Sequence, residues 1–310
     1  MVKDIKGLDF ISLADFNREE LLQLIELAIR LKQERYTGIY KNDLEGYTLG
    51  MIFEKPSLRT RVSFEVAMND LGGRAIYLSP SDIQLGKRET IEDAAIVLSS
   101  MVHVIMARTF SHETIEELAE YSAVPVINGL SDLLHPCQGL ADFMTIYEKF
   151  NRLNGLKLAF VGDGNNVCHS LLLGGSILGL SISVATPEGY EPNDDVLTYA
   201  KELAVDKGQE IKTVNNPYEA VEGSDVVYTD VWASMGQEKE VEKRKKDFEG
   251  FQIDMDMFSK ASDNAILLHC LPAHYGEEMT YEVSRHERSA IFDQAENRLH
   301  TAKAVLLSVI

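Results

Sequence analysis

Ser57, Arg59, Thr60 and Arg61 stand together in one short polar turn, Glu54-Lys55-Pro56-Ser57-Leu58-Arg59-Thr60-Arg61, between an apolar run and an amphipathic one. Two hydroxyls and two planar guanidinium groups form a set that suits phosphate oxygens. If the turn opens a helix, its free N–H groups and the positive end of the helix dipole favour an anion as well. Capping alone accounts for serine and threonine at a helix start. Their coincidence with two arginines at a strand-to-helix turn moves the reading towards a phosphate site.

Other candidates sit where apolar runs end. Arg108 closes one such run, at the strand end where open α/β sheets bind ligands. His135 and Gln138 lie three apart at a helix start and can offer a donor pair to a carbonyl and an amide, with Pro136 at the first helical position. Asp230 follows another apolar run and can hold an ammonium group. Cys270 follows a third; a buried thiol is usually inert, but at a strand end it can meet a substrate. Gly162-x-Gly164 suggests a dinucleotide turn, yet it lacks the third glycine and has only Glu188 as a weak ribose acid. A nicotinamide dehydrogenase is therefore a minor alternative.

The elements that must position these groups follow from periodicity. A helix is expected over 17–32, with Asn17 as N-cap, Glu20 three residues on, and a stripe of Leu21, Leu24, Ile25, Ala28, Ile29 and Leu31. Strand 47–53 leads through the polar turn into a helix closed by Gly72-Gly73. Strand 75–78, a polar loop over 79–87, helix 89–101, strand 102–107, helix 113–121 and strand 124–128 come next. The helix opened by His135 leads to a polar stretch, 148–156, that reads as a domain boundary. A second series has strands at 157–161, 181–185, 211–214, 225–230 and 265–269. Helices are expected at 169–180, 194–207, 217–222 and 292–310, and a solvated, charged loop over 238–247. Alternating strands and helices predict parallel sheets with right-handed crossovers. The fold class is thus α/β, with two domains, each a parallel sheet flanked by helices: 1–147 with the C-terminal helix 293–310, and 148–292.

Composition is that of an ordinary globular protein: 310 residues, 45% hydrophobic and 25% charged. Its net charge of −19 argues against nucleic acid and anionic membranes as partners. A phosphate site in such a chain must be built from locally clustered cations, because charge further than about 8 Å away is screened at physiological salt. No signal peptide is expected, and no apolar run reaches the roughly 18 residues of a membrane span. Cys137, Cys168 and Cys270 lack metal-ligand spacing and suit free thiols in a reducing, cytoplasmic setting.

Five separated motifs resemble, in order, those of the aspartate/ornithine carbamoyltransferase family, over nearly the whole chain. Ser57-Leu58-Arg59-Thr60-Arg61 is similar to its Ser-Thr-Arg-Thr-Arg carbamoyl-phosphate motif, departing at Leu58, where the backbone N–H would serve. His135-Pro136-Cys137-Gln138 resembles His-Pro-x-Gln, and Cys137 in place of threonine points to the ornithine branch. Asp230-Val231-Trp232-Ala233-Ser234-Met235-Gly236 resembles the ornithine loop, and His269-Cys270-Leu271-Pro272 differs from the aspartate branch's His-Pro-Leu-Pro. Arg298 matches a carbamoyl-phosphate residue in the last helix.

The resemblance implies transfer of a carbamoyl group from carbamoyl phosphate to the side-chain amine of L-ornithine, giving citrulline, without metal or cofactor. It implies Ser57, Leu58, Arg59, Thr60, Arg108 and Arg298 for the donor, with Thr60, Arg108 and His135 on the carbamoyl oxygen. Gln138 and the backbone around Cys270 and Leu271 would hold the carbamoyl NH₂. Asn166, Asp230, Ser234 and Met235 would hold ornithine, with Cys270 acting on its amine. It also implies a homotrimer or a multiple of trimers, in which Gln84 reaches a neighbour's site, and a place in arginine biosynthesis. Putrescine or aspartate as acceptor, and a non-catalytic binding protein, are the alternatives.

Overall fold

The structure, a computed structural model, describes residues 5–86, 88–204, 208–233 and 238–310. The chain divides into two compact units, Met1–Met144 with Glu296–Ile310, and Thr145–Ala295.

In the first unit, α1 (Arg18–Tyr36) starts at Asn17, whose side chain accepts from Glu20 N–H while Glu20 accepts from Asn17 N–H. This reciprocal box satisfies two donors that the first helical turn would otherwise leave open. The strands are β1 (Thr48–Phe53), β2 (Arg74–Leu78), β3 (Val104–Arg108) and β4 (Val126–Leu130). All pair in parallel in the order β2-β1-β3-β4. Leu49, Met51, Ile52 and Phe53 of β1 are all fully buried, as expected of a central parallel strand covered on both faces. Between the strands run α2 (Leu58–Asp70), α3 (Pro80–Ile83), α4 (Ile91–Ser99) and α5 (His112–Tyr121). The short α3 lies where a polar loop is expected: Ser79 and Asp82 form a capping box and Pro80 takes the first helical position, enough for one turn.

The chain leaves this unit within α6 (Pro136–Phe150). The second unit holds β5 (Lys157–Val161), β6 (Ser181–Ala185), β7 (Ile211–Val214), β8 (Val226–Thr229) and β9 (Ile266–His269), parallel in the order β7-β6-β5-β8-β9. Its helices are α7 (Asn166–Leu178), α8 (Asp194–Leu203), α9 (Pro217–Val221), α10 (Val241–Asp247), α11 (Met255–Phe258) and α12 (Tyr281–Ser284). The core beneath this sheet gathers Trp232, Phe248, Phe251, Ile253, Phe258 and Leu267. The last helix, α13 (Ile291–Val309), returns to the first unit, where Lys303 pairs with Asp70 at 3.1 Å and Asn297 accepts from Lys32 at 2.8 Å.

The charged run expected to be a solvated loop over 238–247 is instead a 3₁₀ turn (Glu238–Glu240) leading into α10, and Arg244 in it is buried. Charge density misleads here because one arginine finds a buried partner far away in sequence. No helix among the described residues is long and apolar enough to cross a membrane.

Candidate active site

Strand order locates the chemistry. β1 has its sequence successor β2 on one side and β3 on the other, so the order reverses between β1 and β3; in the second sheet it reverses between β5 and β8. Ligands of open α/β sheets bind outside the strand carboxyl ends at such reversals.

At the first reversal, β1 ends in Phe53 and β3 in Arg108, directly paired. Ser57 caps α2, its Oγ accepting from Thr60 N–H at 3.3 Å. Leu58 and Arg59 occupy the first turn, Leu58 72% exposed. Thr60 is buried and its Oγ1 accepts from Arg298 Nη2 at 3.2 Å. Arg298, 4% exposed on α13, donates through Nη1 to Gln138 Oε1 at 2.6 Å. Gln138 in turn donates to Asp142 at 2.7 Å. Gln138 is thus engaged within the protein as a strut between α6 and Arg298, a use that spacing from His135 does not reveal. Arg61, the second arginine of the turn, pairs with Glu65 at 3.0 Å and lies over the Tyr77 ring at 3.9 Å.

His135 is buried at the start of α6. Burial, then the guanidinium groups of Arg298, Arg108 and Arg59, hold its pKa well below the usual imidazole value, so the ring is neutral at pH 7. A neutral imidazole among three fixed cations can donate a hydrogen bond to a developing oxyanion without giving up charge. Gln84 is exposed, at the left-handed residue that ends α3 (φ 44°). Cys137 is sealed beneath, donating to Asn128 O, its thiol pushed up to about 12 by burial.

At the second reversal the turn after β5 faces the exit of β8. Gly164 must be glycine, since a Cβ there would lie 2.3 Å from Pro192 N. Asn165 caps α7, its Oδ1 accepting from Val167 and Cys168 N–H, while its Nδ2 donates to Asp230 Oδ2 at 2.8 Å. Asp230 Oδ1 accepts from Val231 N–H at 2.8 Å and from the Cys270 thiol at 2.9 Å. The expected residues Asp230 and Cys270 are therefore in direct contact. Asn166 is the first residue of α7, beside the asparagine that makes the Asp230 contact; sequence reading named Asn166 alone. Ser234 and Met235 lie outside the described residues.

Around Cys270, His269 Nδ1 accepts from Leu271 N–H at 2.8 Å, which leaves the ring proton on Nε2 to meet Glu278 Oε1 at 3.0 Å. Leu271 takes a left-handed backbone (φ 57°), and its peptide bond to Pro272 is cis. Two groups among the described residues bring metal-ligating atoms within 4.8 Å of one another: Asp230, His269 and Cys270, and His274, Glu277 and Glu278. In the first, the Cys270 thiol donates to Asp230, and the His269 ring is engaged by Glu278 and Leu271 N–H.

Two open parallel sheets, one with an arginine cluster around a buried histidine and one with a carboxylate–thiol pair, define a two-domain α/β protein with a ligand site at each strand reversal. Residues 8–148 match the family model described as the aspartate/ornithine carbamoyltransferase carbamoyl-P binding domain, and residues 154–309 match its Asp/Orn binding domain. The chain belongs to the aspartate/ornithine carbamoyltransferase family. It is 53% identical to the ornithine carbamoyltransferase of Anoxybacillus flavithermus, over 99% of this chain and 98% of that one. It is 51% identical to the anabolic ornithine carbamoyltransferase of Pyrococcus furiosus, over 100% and 98%. The solved ornithine carbamoyltransferase of Pyrococcus furiosus superimposes with a TM-score of 0.97, covering 99% of this chain and 98% of that one at 51% identity. The anabolic enzyme of Campylobacter jejuni superimposes with a TM-score of 0.90 at 44% identity, covering 96% and 97%.

Proposed function

We propose that this protein transfers the carbamoyl group of carbamoyl phosphate to the side-chain amine of L-ornithine, forming L-citrulline and phosphate. The observation that carries this reading is the buried neutral His135 beside Arg59, Arg108 and Arg298. Such a cluster suits a donor with a phosphate to anchor and a carbonyl to polarise. The relatives' names and the Asp230 carboxylate support an amino-acid acceptor with a cationic group.

Each residue then has a role. Ser57, the Leu58 N–H, Arg59, Thr60 and Arg108 bind the phosphate, and Arg298 helps fix the donor. Thr60, Arg108 and His135 donate to the carbamoyl oxygen as negative charge gathers on it. Gln138, Cys270 and Leu271 hold the carbamoyl NH₂. Asn166, Asp230, Ser234 and Met235 orient ornithine. The attacking amine must be neutral, which costs about 4.6 kcal/mol at pH 7 for a lysine-like pKa of about 10.4. Asp230 and Cys270 offset part of that cost, and the departing phosphate takes the last proton. We assign the chain to the cytoplasm, to arginine biosynthesis, and to a homotrimer or a multiple of it with Gln84 serving a neighbour. Ile96, Val97 and Met101, apolar and at least half exposed around α4, support such an assembly.

The test is a carbamoylation assay with ornithine, aspartate and putrescine offered in parallel. Product from ornithine alone is expected; preference for either other amine overturns the assignment.

A further inference from the structure

We infer that Arg244 is a positioning residue for the acceptor pocket, fixing the exit of β8 to the turn after β5; the inference rests on the acceptor reading above. One guanidinium group meets three partners. Nη1 donates to the Trp232 carbonyl at 2.6 Å and lies 3.0 Å from Asp163 Oδ2, and Nε donates to Glu240 at 3.0 Å. The group also lies over the Tyr190 ring, 4.8 Å from its centre.

The placement of these contacts has a chemical logic. Trp232 stands two residues after Asp230, and Asp163 two residues before Asn165. The two segments are therefore tied twice. One tie is direct, from the neutral amide of Asn165 to Asp230. The other runs from Asp163 through Arg244 to Trp232. A carboxylate that must receive an ammonium group cannot also be neutralised by an arginine. The cationic tie is displaced two residues along both segments, away from Asp230.

The pair is buried, with side chains 8% and 11% exposed. A buried pair broken on one side leaves an uncompensated charge, so losing Arg244 strands Asp163. The groups facing Asp163 are Arg244 and Glu240 from the α10 segment, Asp230 from the β8 exit, and the Cys168 thiol of α7, itself pushed well above its usual value by burial. Burial raises the Asp163 pKa to about 6; Arg244 opposes the rise, while Asp230 and Glu240 add to it. The ion pair is therefore half formed at about pH 6, complete as pH rises well above it and lost as pH falls below it.

The test compares the full chain with Arg244→Gln, Arg244→Lys and Asp163→Asn between pH 5 and 8. Trp232 is the only tryptophan in the chain, so its emission reports the β8 exit without any substrate. Wild-type emission is expected to titrate with a midpoint at about pH 6, and Asp163→Asn to remove that transition. In citrulline formation, Arg244→Gln should raise the ornithine KM by about tenfold or more, with Arg244→Lys partly restoring it. The carbamoyl-phosphate Kd should stay within about twofold. An emission titration identical in wild type and Asp163→Asn overturns the inference, as does an unchanged ornithine KM in Arg244→Gln. If Arg244→Gln does not fold, Arg244→Lys and Asp163→Asn carry both readouts. If wild type makes no citrulline, the acceptor reading fails, and the emission titration still decides whether the ion pair governs the β8 exit.

Discussion

Replacing Arg298 by methionine attacks the donor site from the far end of the chain. The guanidinium is 4% exposed and holds Gln138 at 2.6 Å and Thr60 at 3.2 Å. A hydrogen bond to a charged group is worth about 1.5–3 kcal/mol. Loss of one such contact to an anionic donor should raise the carbamoyl-phosphate Kd by roughly 10- to 150-fold. Stability should change less simply. Gln138 Oε1 and Thr60 Oγ1 lose their donor inside the protein, at about 1–3 kcal/mol for each group left unmet. Against that, Arg59, Arg108 and Arg298 repel one another, and removing one relieves part of the strain. The His135 pKa should rise, since one of its three cations is gone, yet stay below 6.5 because burial is its largest cause. Calorimetric titration gives the Kd, thermal melting shows that the variant folds, and NMR titration follows the His135 ring. A folded Arg298→Met protein with unchanged donor affinity refutes the placement of the anion site.

Asp230→Asn should raise the ornithine KM steeply and leave carbamoyl-phosphate binding near wild type, as steady-state kinetics with each substrate varied in turn would show. Mixed trimers of Gln84→Ala and Arg59→Ala subunits should regain some activity, because one composite site escapes both lesions; verified hybrids without any activity would dismiss a shared site. His300, fully buried in α13, is held at about pH 4 chiefly by burial, against an ordinary value of 6.5. The unfolded chain therefore takes up this proton first, so the stability linked to His300 is complete above pH 6.5 and falls as pH drops towards 4. At ~1.4 kcal/mol per pH unit, about 2 kcal/mol should be gone at pH 5. Urea midpoints at pH 7 and 5 should converge in His300→Gln relative to wild type.

What was legible in the sequence was whatever depends on neighbours a few residues apart. The α1 capping box follows from Asn17 and Glu20 three apart, and the central strands from runs such as Leu49 to Phe53. Strand alternation fixed the parallel sheets; the Ser57 turn and the Asp230 exit fall at strand ends where the order reverses, while His135 and Cys270 follow the edge strands β4 and β9. Less legible were choices made by distant partners. Arg61 and Arg59 look alike in the polar turn, and only Glu65 and Tyr77 turn Arg61 aside. Asn165 and Asn166 are chemically identical neighbours; α7 begins between them, so one becomes the cap that reaches Asp230. Arg244 hides among lysines and glutamates because its partner, Asp163, belongs to a turn on another strand. The short α3 escapes periodicity because its one turn needs only Ser79, Pro80 and Asp82.

The first compact unit is built from two distant pieces of chain, ending with the segment Glu296–Ile310 that carries Arg298. Synthesis is vectorial, so those last residues are made only after the whole of the second unit, Thr145–Ala295, which is one continuous stretch. At about 5–20 residues per second, the roughly 150 intervening residues take some 8–30 s to translate. Throughout that interval the nascent chain holds every strand of the first unit but not its closing helix, and Thr60 and Gln138 have no Arg298 to hold them. The unit encoded second can thus finish folding first. A nascent chain stalled before residue 296 should be unable to recognise the anion however long it waits.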